Sequence, residues 1–243
     1  MMQKDVDTYL YTVMQSTEHI VSEEPFRHVV ADNFFTEEFY QSLVDQYEAV
    51  LGKGISPVDI QGTFSRFIEY DAYGVTAEPG EDKPTSIMRT KAWKAYWEKM
   101  FGMKFSDDEI MNFHLHLPGG KDGWIHTDEM ENIVVEGVRA PGMLNSWYHN
   151  SPYNDTKLPD IVGAKKVTKA LTFIYYLANT KDLVGGETIL YDQNQQEVKR
   201  IEPKNNRMLV FEINDISYHA YANNPSGYRK TITQWLHKDI AQT

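Results

Sequence analysis

GETILYDQNQQEVKRIEPKNNRMLVFEI, residues 186–213, consists of three short runs parted by turn residues. GETILYD, QEVKRIE and RMLVFEI are too short for helices and carry β-branched and aromatic side chains, while Asn194, Pro203, Asn205 and Asn206 supply turn chemistry between them. The same rhythm extends outward in both directions. IMNFHLHL (from residue 110), GWIHT and KALTFIYYLA precede this stretch, and SYHAYA and RKTITQWLH follow it. Eight such strands predict a mainly β core, a sandwich or closed barrel of jelly-roll type. One connection is exceptional: residues 129–168, including LNSWYHNSPYNDT, have no convincing periodicity, as expected of a lid, a binding loop or a disordered segment. Within it Trp147, Tyr148, His149 and Tyr153 are candidates to line a substrate pocket or to anchor an exposed loop.

The first hundred residues alternate helical and irregular patterns. In FFTEEFYQSLVDQYEAVL, Thr36 can cap a helix, Glu37 and Glu38 suit its first turn, and Phe39, Leu43 and Tyr47 fall on one face. In KAWKAYWEKMF, Trp93, Tyr96, Trp97 and Met100 do the same, which predicts a helix packed on a sheet. The expected organisation is therefore α+β: a helical extension over 1–108 supporting a β core over 109–243, with an insertion at 129–168.

Composition limits the function. A chain of 243 residues with 41% hydrophobic and 13% aromatic residues can bury a sizeable core. Its formal net charge of -11 repels phosphate backbones and anionic membranes, so nucleic acid is disfavoured as a partner. With no cysteine, a metal site must be built from imidazole and carboxylate. The start, MMQKDVDTYL, carries acids at 5 and 7 in place of an apolar run, and no later stretch is long enough to span a bilayer; a cytoplasmic location is expected.

Two HxD triplets occur, His126-Thr127-Asp128 and His237-Lys238-Asp239, and chance alone supplies one at this composition. Residues two apart on a strand point the same way, so His126 and Asp128 can reach one ion, with His219 as a third ligand from another strand. Two imidazoles and one carboxylate occupy one face of an octahedral iron and leave positions open for oxygen chemistry. Such a site calls for a cation to hold a carboxylate-bearing co-substrate. Arg229, ten residues beyond His219, has the planar fork for it, and Thr231 shares its face. The second triplet has no histidine or arginine after it and reads as a solvated chain end.

With HTD at 126–128, His219, Arg229 and the phrases KALTFIYYLA, GGETILYD, RIEPKNNRMLVFE and HAYANNPSGYRKTITQW in this order, the chain resembles the iron(II)/2-oxoglutarate-dependent dioxygenases of the double-stranded β-helix fold, in their prolyl hydroxylase-like branch. The resemblance spans roughly residues 109–237. It implies His126, Asp128 and His219 as Fe(II) ligands, and Arg229 with Tyr176 on the distal carboxylate of 2-oxoglutarate. His116 stands where relatives often place a tyrosine, so a co-substrate, substrate or packing role is open to it. Asp128 disfavours halogenation, because halogenating relatives carry a small residue there. The implied activity is hydroxylation of an unactivated C–H bond, with O2 as second co-substrate and ascorbate admissible as a further cofactor. The substrate would be a prolyl or other amino-acid residue in a peptide or protein, or a small molecule. Two other readings stand beside it. One is a cupin-type metal enzyme using His114, His116 and His219, although Gly119 and Gly120 occupy the place of its expected acid; the other is a non-catalytic metal-binding module.

Overall fold

The computed structural model describes residues 3–58, 60–66, 72–129, 131–135, 146–150 and 165–240, with the backbone alone over 3–7, 131–135 and 146–150. Among these, three α-helices are α1 (Gln3–Val13), α2 (Glu37–Leu51) and α3 (Lys91–Phe101). The strands are β1 (His28–Ala31), β2 (Ile55–Ser56), β3 (Phe64–Arg66), β4 (Tyr73–Thr76), β5 (Glu109–His116), β6 (Glu131–Val135), β7 (Ser146–Asn150), β8 (Lys165–Tyr176), β9 (Thr188–Tyr191), β10 (Glu197–Ile201), β11 (Arg207–Glu212), β12 (His219–Tyr221) and β13 (Arg229–Asp239). The main sheet runs β1-β11-β8-β13-β5-β4-β3-β2, with β6 paired to the start of β8 and β7 to β6. A smaller sheet runs β10-β9-β12. No helix among the described residues is long and apolar enough to cross a membrane.

The period-2 alternation of the long central strands explains why two layers pack on the main sheet. On β8, Leu171, Phe173 and Tyr175 join the cluster that includes the helices, while Ile174 and Tyr176 join Leu190 and Ile201 of the smaller sheet. The two sheets thus face each other across Ile174, Leu209 and Phe211, giving the expected double-stranded β-helix. Behind the main sheet, Trp93 and Trp97 of α3 lie 5.6 and 5.2 Å from the Phe173 ring, and Tyr47 of α2 lies 5.3 Å from Phe113. Helix α2 begins at the expected cap, Thr36 Oγ1 accepting from Phe39 N–H; α3 begins at Thr90, whose Oγ1 accepts from Trp93 N–H and which the sequence reading did not single out.

Four local expectations are corrected. The triplet His237-Lys238-Asp239 is not a solvated chain end: it closes β13 in register with β8, and His237 is buried. GWIHT forms a single bridge, His126 opposite His219, rather than a strand; the glycines at 119, 120 and 123 leave too little regular chain for a ladder. Residues 28–76, read as helical and irregular, supply β1 to β4, whose two to four residues each are too few to display a period. The insertion at 129–168 contributes β6 and β7, a pair that prolongs the main sheet beyond β8. Of Trp147, Tyr148 and His149 only the strand backbone is described, and Tyr153 lies outside the described residues.

Candidate active site

The site lies between the two sheets. His219 comes from β12 and His126 from the segment bridged to it, each backbone N–H donating to the other's carbonyl at 2.9 and 3.1 Å. Asp128, two residues on, reaches across to the main sheet. One ligand atom from each of His126, Asp128 and His219 falls within 4.8 Å of the others, and this is the only such trio of His, Asp or Glu among the described residues. His114 and His116, on β5, are not part of it, which removes the geometric basis of the cupin arrangement.

Both imidazoles are oriented through Nδ1. That atom lies 2.8 Å from Trp124 O in His126 and 3.1 Å from Ser217 O in His219, so each ring carries its proton there and keeps the Nε2 lone pair for a metal. Burial, followed by the neighbouring His126, holds His219 down to about 4, so it is neutral near pH 7. Asp128 Oδ2 accepts from Thr172 Oγ1 at 2.6 Å and from Trp235 Nε1 at 2.7 Å, and Lys169 Nζ lies 3.6 Å from Oδ1. Burial alone would raise this carboxyl, but Lys169, the two imidazoles and Thr172 outweigh it and keep Asp128 ionised far below the usual carboxylate range. Two neutral imidazole nitrogens and one fixed carboxylate form a donor set suited to a divalent iron with open coordination positions.

A second polar group lies further along the same interior face. Arg229, 4% exposed, donates from Nε to Gly186 O at 2.8 Å and from Nη2 to Thr188 Oγ1 at 3.2 Å. Its guanidinium stacks between Tyr176 and Tyr221, 5.2 and 5.1 Å from the two ring centres. Gly186 has φ +78, and a Cβ there would come within 3.2 Å of Arg229 Cδ, so glycine serves both the turn and the close approach. Tyr176 OH shares a 2.6 Å hydrogen bond with Thr188. Thr231 stands opposite Tyr176 and His114 in the register; its Oγ1 is buried and has no hydrogen-bond partner among the described residues. An orphan hydroxyl beside a buried guanidinium is what a carboxylate-bearing ligand would complete. His116, opposite Arg229, packs its ring 4.0 Å from Tyr221, and burial and then Arg229 drive it well below its usual range.

Five residues of this site escaped the sequence reading: Lys169, Thr172, Thr188, Tyr221 and Trp235. Thr172 and Trp235 share the interior face with Tyr176 and Thr231 by strand parity, a signal available once the register is known. Thr188 and Tyr221 pair with each other across β9 and β12.

Residues 143–237 match the profile of the family described as the 2OG-Fe(II) oxygenase superfamily, a range that holds His219, Arg229, Tyr176 and Thr231. No curated protein matches the chain in sequence. Among solved structures, a prolyl-4-hydroxylase of Pseudomonas putida superimposes over 98% of this chain and 100% of its own, with a TM-score of 0.57 and 14% identity. A prolyl hydroxylase of Trichoplax adhaerens, solved with a hypoxia inducible factor peptide fragment, covers 96% of this chain and 88% of its own (TM-score 0.54, 14% identity). The viral collagen prolyl hydroxylase of Paramecium Bursaria Chlorella virus-1, solved with 2OG, covers 86% and 95% (TM-score 0.53, 16% identity). At these identities the likeness is one of fold.

Proposed function

We infer that this chain, whose residues 143–237 match the 2OG-Fe(II) oxygenase superfamily and which has the fold of the prolyl hydroxylases, hydroxylates an unactivated C–H bond of an amino-acid residue or a small molecule. The observation that carries this reading is the His126–Asp128–His219 cluster, with both Nδ1 protons committed to carbonyls. These three residues would hold Fe(II), and Arg229 with Tyr176 and Thr231 would hold the distal carboxylate of 2-oxoglutarate. His116 is assigned to the wall of the co-substrate pocket, where it backs Tyr221. Bound Fe(II), with 2-oxoglutarate and O2, supplies the oxidising power for C–H hydroxylation while 2-oxoglutarate is converted to succinate and CO2.

The chain's own contributions follow from its geometry. Thr172 and Trp235 fix Oδ2 of Asp128, so the carboxylate meets a metal in one orientation without rotating. Thr188 ties Arg229 to Tyr176, so the fork is aimed before the co-substrate arrives and little side-chain entropy is lost on binding. The surrounding Ile174, Leu190, Leu209 and Phe211 form a buried apolar wall that keeps water from the reacting centre. Purified protein incubated with 2-oxoglutarate and Fe(II) in air is expected to release succinate, and Asp128→Ala is expected to release none. Iron-independent release by wild type, or undiminished release by Asp128→Ala, would remove the basis of the reading.

A further inference from the structure

We propose that Lys169 is an anion subsite beside the metal cluster, taking a free carboxylate of a small-molecule substrate; the proposal rests on the oxygenase reading above. By strand parity Lys169 belongs with Leu171 and Phe173 on the face that packs against the helices. It does not lie there. Between β8 and β13 the register shifts: Leu236 pairs with Leu171, but His237 pairs with Lys169, so Ala170 is an extra residue on β8. Its carbonyl accepts from Ile213 N–H at 2.9 Å, which continues the pairing with β11 while the pairing with β13 slips. This bulge reverses the parity and turns the ammonium inward, the kind of re-aiming that bulges perform beside active sites.

The ammonium arrives in an unusual state. Lys169 is 7% exposed, lies 4.3 Å from the centre of the Trp235 ring, and has Asp128 Oδ1 at 3.6 Å as its nearest negative atom. No hydrogen bond to it is present among the described residues. It lines a cleft of about 250 Å³ together with Glu129, Asn214, Asp215 and Lys238, directly after the last ligand of the HTD triplet. A buried ammonium needs a counter-charge. Asp128 supplies it only while its carboxylate is not shared with a divalent cation. Were it shared with a metal, its charge would be divided, and among the described residues no other carboxylate lies within ion-pair distance of the ammonium. A substrate carboxylate in the cleft would give the ammonium a direct partner and gain a charge-assisted hydrogen bond. An internal peptide unit offers only a neutral carbonyl, so the favoured substrate class is a free acid, an amino acid being the simplest.

The test separates this proposal from the function it rests on. Fe(II) and 2-oxoglutarate binding are first measured by calorimetry without oxygen, in wild type, Lys169→Met and Lys169→Arg; Met keeps the apolar stem over Trp235, Arg keeps the charge, and thermal melting verifies folding. Absence of Fe(II) uptake by wild type would sink the oxygenase reading. The subsite would fall with it, since its premise is a metal on Asp128; the outcomes below, read with Fe(II) bound, overturn the subsite alone. Each protein is next titrated with matched acids and amides, L-proline and L-prolinamide, L-leucine and L-leucinamide, and with an acetylated, amidated Gly-Pro-Gly peptide. At least one acid is expected to bind about tenfold tighter than its amide, a preference kept in Lys169→Arg and lost in Lys169→Met. Equal binding of acid and amide, preference for the capped peptide, no acid binding up to about 10 mM, or an unchanged preference in Lys169→Met would each overturn the proposal.

Discussion

At the scale of single residues, Arg229 and Thr231 separate binding from folding. The guanidinium makes bonds from Nε and Nη2 in one plane to Gly186 and Thr188, a geometry an ammonium cannot copy. Arg229→Lys is expected to raise the KM for 2-oxoglutarate about tenfold or more, with a smaller effect on kcat, in a succinate-release titration. Thr231 behaves differently because its buried hydroxyl has no partner among the described residues. Removing an unsatisfied polar group costs the fold little, so Thr231→Val should leave the urea midpoint of the ligand-free protein unchanged or raised. The same variant should weaken 2-oxoglutarate binding by about 1 kcal/mol in calorimetry. A variant equally weak in both would show the hydroxyl to be structural.

At the scale of elements, α3 buttresses the sheet that carries the site. Trp93 is fully buried, with Nε1 donating to Gln234 Oε1 at 3.0 Å, and Gln234 in turn donates to Glu109 Oε2 at 2.8 Å. Trp93→Ala should cost about 3–5 kcal/mol in urea unfolding. Iron uptake by the folded fraction should persist, since no site residue contacts the indole directly. This layer was largely legible in the sequence: the cap Thr36 and the aromatic faces of both helices stand in local spacing. So were the residues that converge at the site, because His126, Asp128, His219 and Arg229 carry chemistry that marks them wherever the chain brings them. Lys169 was not legible. Alternation assigns it to the helix face, and only the extra Ala170, which depends on pairing with a strand about sixty residues away, reverses that. Strands β1 to β4 escaped for a related reason, since segments so short are defined by their partners rather than by their own pattern.

The whole molecule should show the accumulated burial of neutral imidazoles. Burial holds His114 and His237 down to about 3, with Arg229 and Lys169 respectively adding to it, and His219 down to about 4. In the unfolded chain these groups take up protons as pH falls below about 6.5, while the folded chain refuses them until about 3 to 4. The unfolded state therefore binds more protons in that window. Stability is full above it and falls as pH drops, by up to about 1.4 kcal/mol per pH unit per histidine. Glu109, raised by burial, acts in the opposite direction and offsets part of this. Melting curves of metal-free protein should drop steadily from pH 7 to 5, and His237→Asn should flatten that slope by one histidine's share. The bridge between His126 and His219 extends this view to kinetics. Those two amides are bonded to each other's carbonyls at the border of the smaller sheet, so loosening the two imidazoles and peeling that border are one motion. A bound ion would act as a rivet across it. Deuterium uptake at these two amides should slow sharply on iron loading while the amides of β8 and β11 stay unchanged, making the sheet's border a direct reporter of occupancy.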